Sequence, residues 1–221
     1  MERVEELGLN GIKILQDDNL YKFTSDSVLL TKFAKVKKND VVADFCSGSG
    51  IVGLHLYCLN SQAIKSVTLF EMQTPLYEMS QRSIALNNLQ EVFSAVNCRV
   101  QDIDNSYNER FSLIVCNPPY MKTDGGMGAE KPHVAMCKRE EFLPLPELLK
   151  SISKCLKFGG RACIVHRADR LIDLTAEMRN NNIEPKRLQV VSAKGKSPYL
   201  VMVEGVKGGK SGLTILPQIE N

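Results

Sequence analysis

The chain has 221 residues, of which 43% are hydrophobic and 24% charged, and its formal net charge is +3 at pH 7. This length and composition suffice to bury a full core without disulfides or structural metals. No stretch approaches the roughly 20 uninterrupted apolar residues of a membrane span, and the N-terminus lacks a signal-peptide pattern, so we expect a cytoplasmic protein. The mildly basic charge neither requires nor excludes a nucleic-acid partner.

Seven cysteines are scattered along the chain without a CxxC pair. We interpret them as reduced packing residues, and we expect neither disulfides nor a metal site. The sequence contains no internal repeat and no low-complexity stretch, which favours one compact domain.

Residues 1–40 precede the first clear strand pattern, and residues 41–221 are predicted to form the main domain. A helix is predicted over residues 26–35. Ser25, Asp26 and Ser27 can cap it. We expect this helix to act as a lid or clamp over a ligand, and simple capping is the alternative role of its polar residues.

A strand, a glycine turn and a helix then follow in that order. Residues 41–45 have the pattern of a short buried strand, the turn spans Cys46 to Gly50, and a helix is predicted over residues 51–60. Glycine permits positive φ and close approach of a ligand, while a helix N-terminus offers unpaired N–H groups. Because Gly53 completes a G-x-G-x-x-G pattern, the turn alone does not distinguish a nucleoside from a dinucleotide. Tight strand-to-helix packing is the alternative role of these glycines.

Strand and helix patterns alternate along the rest of the chain. Strands are predicted over residues 66–71, 96–101, 112–116, 161–166, 188–192 and 199–205, and helices over 75–88, 144–157 and 168–182. Gly159-Gly160 is expected to end the fourth of the five helices. The alternation predicts an α/β, Rossmann-like fold with a mostly parallel seven-stranded sheet and helices on both faces. Only residues 194–198 separate the last two strands, so one of them should run antiparallel at the edge.

The tetrapeptide Asn117-Pro118-Pro119-Tyr120 follows the apolar run at residues 113–116. A planar conjugated amine is a poor nucleophile, so a catalyst must hold both of its hydrogens and direct its lone pair. The Asn117 side-chain oxygen can accept one N–H bond, and a carbonyl of the rigid Pro118-Pro119 segment can accept the other. Tyr120 would stack on the target ring. An ordinary Asn-Pro turn at the end of a strand is the alternative.

Four polar or glycine positions follow predicted strands: Gly48, Glu71, Asp102 and Asn117. Ligands of open parallel sheets bind beyond the carboxyl ends of the strands, so these positions should converge on one rim. Glu71, about twenty residues after the glycine turn, lies where an acidic residue can bind a ribose diol. The spacing therefore indicates a nucleoside-containing ligand. A turn-forming role is the alternative for Asp102, since Asp104 and Asn105 follow it.

Together, the glycine turn and the tetrapeptide resemble class I methyltransferases that use S-adenosylmethionine. Within that superfamily the chain resembles the bacterial tRNA(Val) (adenine-N6)-methyltransferases. The segments that carry the resemblance are Lys13–Gln16, Phe23–Leu30, Asp44–Gly50, Asn117–Tyr120 and Glu204–Gly209. The chain departs from the pattern at Cys137-Lys138-Arg139-Glu140, where similar proteins often carry an Arg-His-Glu-like segment.

The resemblance implies methyl transfer from S-adenosylmethionine to an adenosine N6 of tRNA beside the anticodon, with no metal and no membrane association. It implies Asn117, Pro118, Pro119 and Tyr120 as catalytic residues. The implied cofactor-binding residues are Thr24, Asp26, Asp44, Ser47, Gly48, Gly50, Glu71, Met72, Asp102, Ile103 and Asn117. Among these, Asp102 would bind the adenine amino group, and Ile103 would pack on the adenine face. The implied substrate contacts are Tyr120, Lys122, Lys138 and Arg139, and both a monomer and a weak homodimer remain open.

Three other interpretations are compatible with the tetrapeptide. Protein glutamine N5-methyltransferases acting on release factors resemble the chain here, but they usually carry an extra N-terminal domain, and about forty residues are too few for one. DNA adenine methyltransferases also share the motif, yet there is no room for a target-recognition domain. A cofactor-binding protein without activity is the third.

The long connection after Tyr120 is predicted to be a basic flap that meets RNA phosphate, with a solvated loop as the alternative.

Overall fold

The structure is a computed structural model that describes residues 1–8, 11–20, 25–120 and 140–220. The strands are β1 (Glu2–Leu7), β2 (Ile12–Asp17), β3 (Asp40–Phe45), β4 (Ile64–Glu71), β5 (Phe93–Asn97), β6 (Phe111–Cys116), β7 (Leu156–Arg167), β8 (Ile183–Ser192), β9 (Leu200–Lys207), β10 (Thr214–Ile215) and β11 (Ile219–Glu220). The helices are α1 (Ser25–Phe33), α2 (Ile51–Asn60), α3 (Thr74–Leu86), α4 (Leu145–Cys155) and α5 (Leu171–Asn180). None of the helices in the described part of the chain is both long and apolar enough to cross a membrane.

The central sheet has the order β8-β9-β7-β6-β3-β4-β5, with the two-residue strands β10 and β11 pairing with β8. Its long strands are parallel except β9, which runs antiparallel to both β7 and β8. The expected α/β fold with a mostly parallel sheet is therefore confirmed. The antiparallel strand is one position inside the expected edge, because β9 inserts between β7 and β8.

Burial explains the positions of the last two strands. The first six residues of β9 are all buried, whereas β8 alternates between buried and partly exposed residues. A fully apolar run such as Val201-Met202-Val203 in β9 needs neighbouring elements on both faces of the sheet. The residues of β8 suit a strand nearer the edge, because several are charged or polar: Glu184, Lys186, Arg187 and Gln189. The residue types of β8 and β9 therefore indicate which of the two strands lies nearer the edge, whereas the short connection between them does not.

An antiparallel hairpin of β1 and β2 precedes α1 and was not expected from the sequence. Its β2 strand packs on the body of the protein: Ile14 is fully buried, and the Leu15 N–H donates to the Ser83 hydroxyl on α3 at 3.0 Å. The predicted N-terminal segment thus begins with two strands. Their alternation was obscured because residues 14–16 present consecutive buried positions rather than a strict period of two.

Helices cover both faces of the sheet. Leu30 of α1 and Leu54 of α2 pack on one face, and Leu148 of α4 and Leu174 of α5 pack on the other. Gly53 lets α2 lie close to β4, since a Cβ at this position would come within 2.5 Å of the Leu69 Cδ2. Gly53 therefore serves tight packing of the helix on the strand, which was the alternative role named for the glycines of this turn.

Several predicted boundaries were wrong. β7 and β8 begin at residues 156 and 183, whereas the predicted starts were residues 161 and 188. β5 covers residues 93–97 rather than 96–101, and a 3-10 turn, Val100–Asp102, occupies the end of the predicted strand. α4 ends at Cys155, so Gly159-Gly160 lie inside β7 rather than at a helix end. Gly159 has φ +74°, and the register of β7 against β6 shifts near its start, which places the glycines in an irregular part of the strand.

Candidate active site at the carboxyl rim of the sheet

The glycine turn leaves open space where β3 ends. Cys46, Gly48 and Gly50 have φ values of 59°, 56° and 91°, which is left-handed backbone that glycine adopts without strain. A Cβ at Gly48 would meet nothing within 4 Å. Gly50 is the N-cap of α2, so the first turn of that helix points its N–H groups toward the rim. The turn can therefore receive a polar group of a ligand against bare backbone.

Glu71, the last residue of β4, forms hydrogen bonds to the backbone of the glycine turn and of the residues that follow β4. Its Oε2 accepts the Gly48 N–H and its Oε1 accepts the Gln73 N–H, both at 2.8 Å. The side chain is buried, and burial raises its pKa, while the backbone N–H groups of Gln73, Gly48 and Met72 oppose that rise. A carboxylate has about four acceptor positions, and the N–H groups of Gly48, Gln73 and Met72 occupy three of them, so one remains for a ligand. Glu71 can therefore accept a hydroxyl of a diol and also hold the turn.

Asp44 is fully buried at the end of β3, where its Oδ2 accepts the Gly53 N–H at 2.8 Å. Its Oδ1 has no hydrogen-bond partner, and neither does the buried hydroxyl of Ser47 in the adjacent turn. Burial raises the pKa of Asp44 to about 8, against the opposing hydrogen bond from Gly53. Two unpartnered polar groups beside the glycine turn fit a ligand that brings hydrogen-bonding groups of its own.

The raised pKa of Asp44 predicts a pH dependence of stability. Between its usual pKa of 3.8 and about 8, Asp44 holds a proton in the folded protein but is ionised in the unfolded chain. Its contribution is therefore complete below about pH 4 and is lost as the pH rises toward 8. We expect the free energy of unfolding of wild type, relative to Asp44→Asn, to fall by more than about 1 kcal/mol from pH 5 to pH 8. Urea denaturation of both proteins at each pH measures this, and a constant difference would contradict it.

The tetrapeptide lies against the N-terminus of α1. Asn117 Nδ2 donates to the Ser27 hydroxyl at 3.0 Å, and the Tyr120 hydroxyl donates to the Asp26 carboxylate. Ser27 is 3% exposed, and Asn117 Oδ1 is buried without a partner. Ser27 thus engages the amide nitrogen of Asn117 and leaves the amide oxygen as a vacant acceptor. This is the orientation needed to accept an N–H from an amine.

This contact predicts that Ser27 positions Asn117. Ser27→Ala would free the amide to rotate, so we expect kcat to fall about tenfold while cofactor affinity is unchanged. Ser27→Thr keeps the hydroxyl and should recover most of the activity. Steady-state kinetics of both variants, with Ser25→Ala as the exposed neighbour control, measure the effect. Equal loss in the alanine and threonine variants would show that the hydroxyl is not the responsible group.

The structure brings the predicted rim residues together, but Asp102, Met72 and Ile103 need separate comment. Asp102 is exposed at the end of a 3-10 turn rather than directly after a strand, and Met72 is partly exposed beside Glu71. Ile103 is 3% exposed and packs in the core. Its side chain therefore presents little surface to an adenine face, and the expected contact stays a prediction. Among the described residues, no group of three or more potential ligands is arranged to hold a metal ion.

Several expected contacts lie outside the described residues: Thr24, Lys122, Lys138 and Arg139. The tail segment Glu204–Gly209 is described, but β9 carries it away from the rim. Its Gly205 is packed so tightly that a Cβ would come within 2.3 Å of Met178 Cε. The tail glycine is therefore explained by packing rather than by ligand binding.

Sequence reasoning missed the roles that Ser27 and His166 suggest in the structure. Ser27 had been assigned to helix capping, and its partner Asn117 is 90 positions away. His166, near the end of β7, is fully buried, and its ring centroid lies 5.6 Å from that of Tyr120. A histidine ending an apolar strand was a possible signal, because the other strands also deliver polar residues to this rim.

Comparison with known proteins agrees with this site. Residues 22–172 match the methyltransferase small domain family. A relative from Shewanella baltica named tRNA1(Val) (adenine(37)-N6)-methyltransferase is 30% identical over 80% of this chain and 74% of its own. A predicted O-methyltransferase from Agrobacterium tumefaciens has a TM-score of 0.69 at 16% identity, covering 88% of this chain and 86% of its own. M. jannaschii TYW2 in complex with AdoMet has a TM-score of 0.64 at 15% identity, covering 92% and 84%.

The two solved structures establish the fold alone, because their identity to this chain is low. The family match covers more than half of the chain and includes the glycine turn, Glu71 and the whole tetrapeptide. The chain therefore belongs to the methyltransferase small domain family, and within it to the family of the tRNA1(Val) (adenine(37)-N6)-methyltransferases.

Proposed function

We propose that this protein transfers a methyl group from S-adenosylmethionine to the N6 amino group of an adenosine in tRNA, beside the anticodon. The observation that carries this proposal is the vacant, buried Oδ1 of Asn117, whose amide nitrogen is already engaged by Ser27. An acceptor held in this way suits a planar amine, which offers N–H groups. The name of the Shewanella baltica relative supports adenosine N6 as the amine.

The residues at the rim fit S-adenosylmethionine. The bare backbone at Gly48 leaves open space, while the remaining acceptor position of Glu71 and the unpartnered Asp44 Oδ1 and Ser47 Oγ offer hydrogen-bonding groups. Glu71 would bind the ribose diol, and Asp44 with Ser47 would face the amino-acid end. Asp102, exposed on the same rim, would bind the adenine amino group. When bound, the cofactor supplies an electrophilic methyl group on a sulfonium.

The residues of the chain supply orientation rather than covalent chemistry. Asn117 Oδ1 accepts one N–H of the adenine amine, and a carbonyl of the buried Pro118-Pro119 segment accepts the other, so the nitrogen lone pair is directed at the methyl group. Tyr120 stacks on the base, which must leave its own stack to reach Asn117. The methylated amine then loses a proton to solvent or through Asn117, so no dedicated base is required.

The N-terminal segment, residues 1–40, would act as a cover for this site. Asp26 and Ser27 at the start of α1 contact Tyr120 and Asn117 directly. The other end of α1 is anchored, because Arg187 Nη2 donates to the Phe33 carbonyl at 3.2 Å and Arg161 donates to the Lys35 carbonyl just beyond the helix. Residues 41–221 form the catalytic body.

We further propose that tRNA is bound in the cytoplasm by a monomer or a weak homodimer. Lys122, Lys138 and Arg139 would contact RNA phosphates, where each cation displaces counterions. Binding should therefore weaken steeply with added salt. The match covers 74% of the Shewanella baltica relative, whose name specifies no contact residue. The contacts of Lys122, Lys138 and Arg139 with RNA are therefore proposals for this chain.

The test is an incubation of the purified protein with labelled S-adenosylmethionine and, separately, unmodified total tRNA or a peptide release factor. Labelled tRNA is then digested to nucleosides. Label recovered as N6-methyladenosine would establish both the reaction and the amino group. Label on the release factor alone would make the protein a glutamine methyltransferase, and no label on either would favour cofactor binding without transfer.

A further inference from the structure

His166 is a buried histidine with no hydrogen bond at either ring nitrogen. It is 0% exposed, and neither Nδ1 nor Nε2 has a partner at hydrogen-bonding distance and angle; the backbone of Arg167 makes a weaker polar contact, which is the smallest influence on the pKa of the ring. An unmade hydrogen bond of a buried polar atom costs about 1–3 kcal/mol, so two on one ring are a substantial burden on stability. Native proteins keep such atoms rarely and mainly where function uses them.

The position of His166 identifies that use. It lies near the carboxyl end of β7, next to β6 in the sheet, where Cys116 pairs with Ile164. The tetrapeptide begins at the residue after Cys116, and the Tyr120 ring centroid is 5.6 Å from that of His166. His166 therefore lies on the β7 side of the tetrapeptide, whereas Glu71 and the glycine turn lie across β3 and β4 on the other side.

The charged neighbours of His166 are occupied with one another. Arg170 forms an ion pair with Glu140 and another with Asp173 at 2.6 Å, and Arg167 pairs with Asp169 at 2.8 Å. Burial lowers the pKa of His166 to about 4, so the ring is neutral near pH 7 and offers one donor and one acceptor. That combination matches a nucleoside, whose base edge and ribose hydroxyls both donate and accept.

We propose that His166 is a substrate-binding residue whose ring nitrogens form hydrogen bonds to the nucleoside that Tyr120 stacks on. This inference rests on the proposed function and adds a residue that determines substrate specificity. Because His166 is fully buried in contact with the Tyr120 ring, the nucleoside reaches it only when that ring or another neighbour shifts. The bound nucleoside then satisfies the two nitrogens that the protein leaves unpaired.

The test separates a binding role from a packing role through His166→Phe. This variant keeps a ring beside Tyr120 but removes both nitrogens, so we expect the melting temperature to stay the same or rise. We expect kcat/KM for tRNA to fall about 10- to 100-fold, with unchanged affinity for S-adenosylmethionine by calorimetry. His166→Gln, which keeps one donor and one acceptor, should lie between wild type and the phenylalanine variant.

His55→Phe is the matched control. His55 is also buried, but its Nδ1 pairs with the Thr31 hydroxyl at 2.7 Å, so this variant should lose stability and keep its kcat/KM. Wild-type kcat/KM in His166→Phe, or a fall in activity that only accompanies a fall in melting temperature, would overturn the inference while the proposed function stands. A wild-type protein that methylates no adenosine in tRNA would instead overturn the proposed function, and with it the nucleoside as the ligand of His166.

Discussion

Asn117→Ala is expected to lower kcat by roughly 10²- to 10³-fold while the dissociation constant for S-adenosylmethionine stays close to that of wild type. The physical reason is that Asn117 Oδ1 is the vacant acceptor for the amine, whereas the polar groups beside the glycine turn belong to Asp44, Ser47 and Glu71. Single-turnover kinetics with tRNA and calorimetry with the cofactor give the two quantities separately.

The matched control is Asn87→Ala. Asn87 is also a hydrogen-bonded amide, which accepts the Lys13 N–H at 2.8 Å and donates to the Lys13 carbonyl at 2.6 Å, but it lies just beyond the end of α3 that is remote from the rim. This variant should lose stability and keep its turnover. If Asn117→Ala lost cofactor binding and turnover equally, Asn117 would have a structural or cofactor role instead of directing the amine.

Glu71→Ala is expected to raise the dissociation constant for S-adenosylmethionine about 10- to 100-fold, because hydrogen bonds to a charged group contribute about 1.5–3 kcal/mol. The effect has two sources: the diol loses its acceptor, and the Gly48 N–H loses the carboxylate that holds the turn. At saturating cofactor, kcat should fall much less than in Asn117→Ala. Calorimetry, followed by kinetics at high cofactor concentration, tests both statements.

Glu71→Gln should raise the dissociation constant for S-adenosylmethionine at least as much as Glu71→Ala does. Both carboxylate oxygens accept backbone N–H groups, from Gly48 and Gln73, so a side-chain amide would place its NH2 against one of these donors. Asp104→Ala is the control for removing an acidic residue from the same rim, since the hydrogen bonds of Asp104 are to the residues that follow it directly, Asn105 and Ser106. Cofactor affinity in Glu71→Gln equal to wild type would show that the carboxylate is not needed at this position.

The fold class was predictable because its signals are local. Buried strands at residues 41–45 and 112–116 and the helix at residues 51–60 agree with the structure to within one residue at each end. Turns of glycine and apolar periodicity report on neighbouring residues only, and these are the features that a single sequence contains. The order of β8 and β9 and the hairpin of β1 with β2 depend on which strands meet, so the same patterns did not determine them.

The candidate site divides in the same way. Glu71 and Asn117 were identifiable because each follows a strand in a parallel sheet, a rule that converts chain position into spatial position. Ser27 and Asp26 were recognised only as helix caps and possible cofactor contacts, because their contacts with Asn117 and Tyr120 join residues 90 and 94 positions apart. His166 was missed because an unpaired nitrogen is a property of a packed environment and not of a residue type.

By itself, the sequence determined the alternation of strands and helices, the glycine turn and the position of the tetrapeptide at the end of a strand. Only the tertiary structure decided that α1 lies on the tetrapeptide, that β9 inserts beside β7, and that Asp44 is buried deeply enough to raise its pKa to about 8. The physical reason is range: backbone preferences and periodicity act over a few residues, whereas burial, hydrogen-bond pairing and pKa depend on segments that only folding brings together.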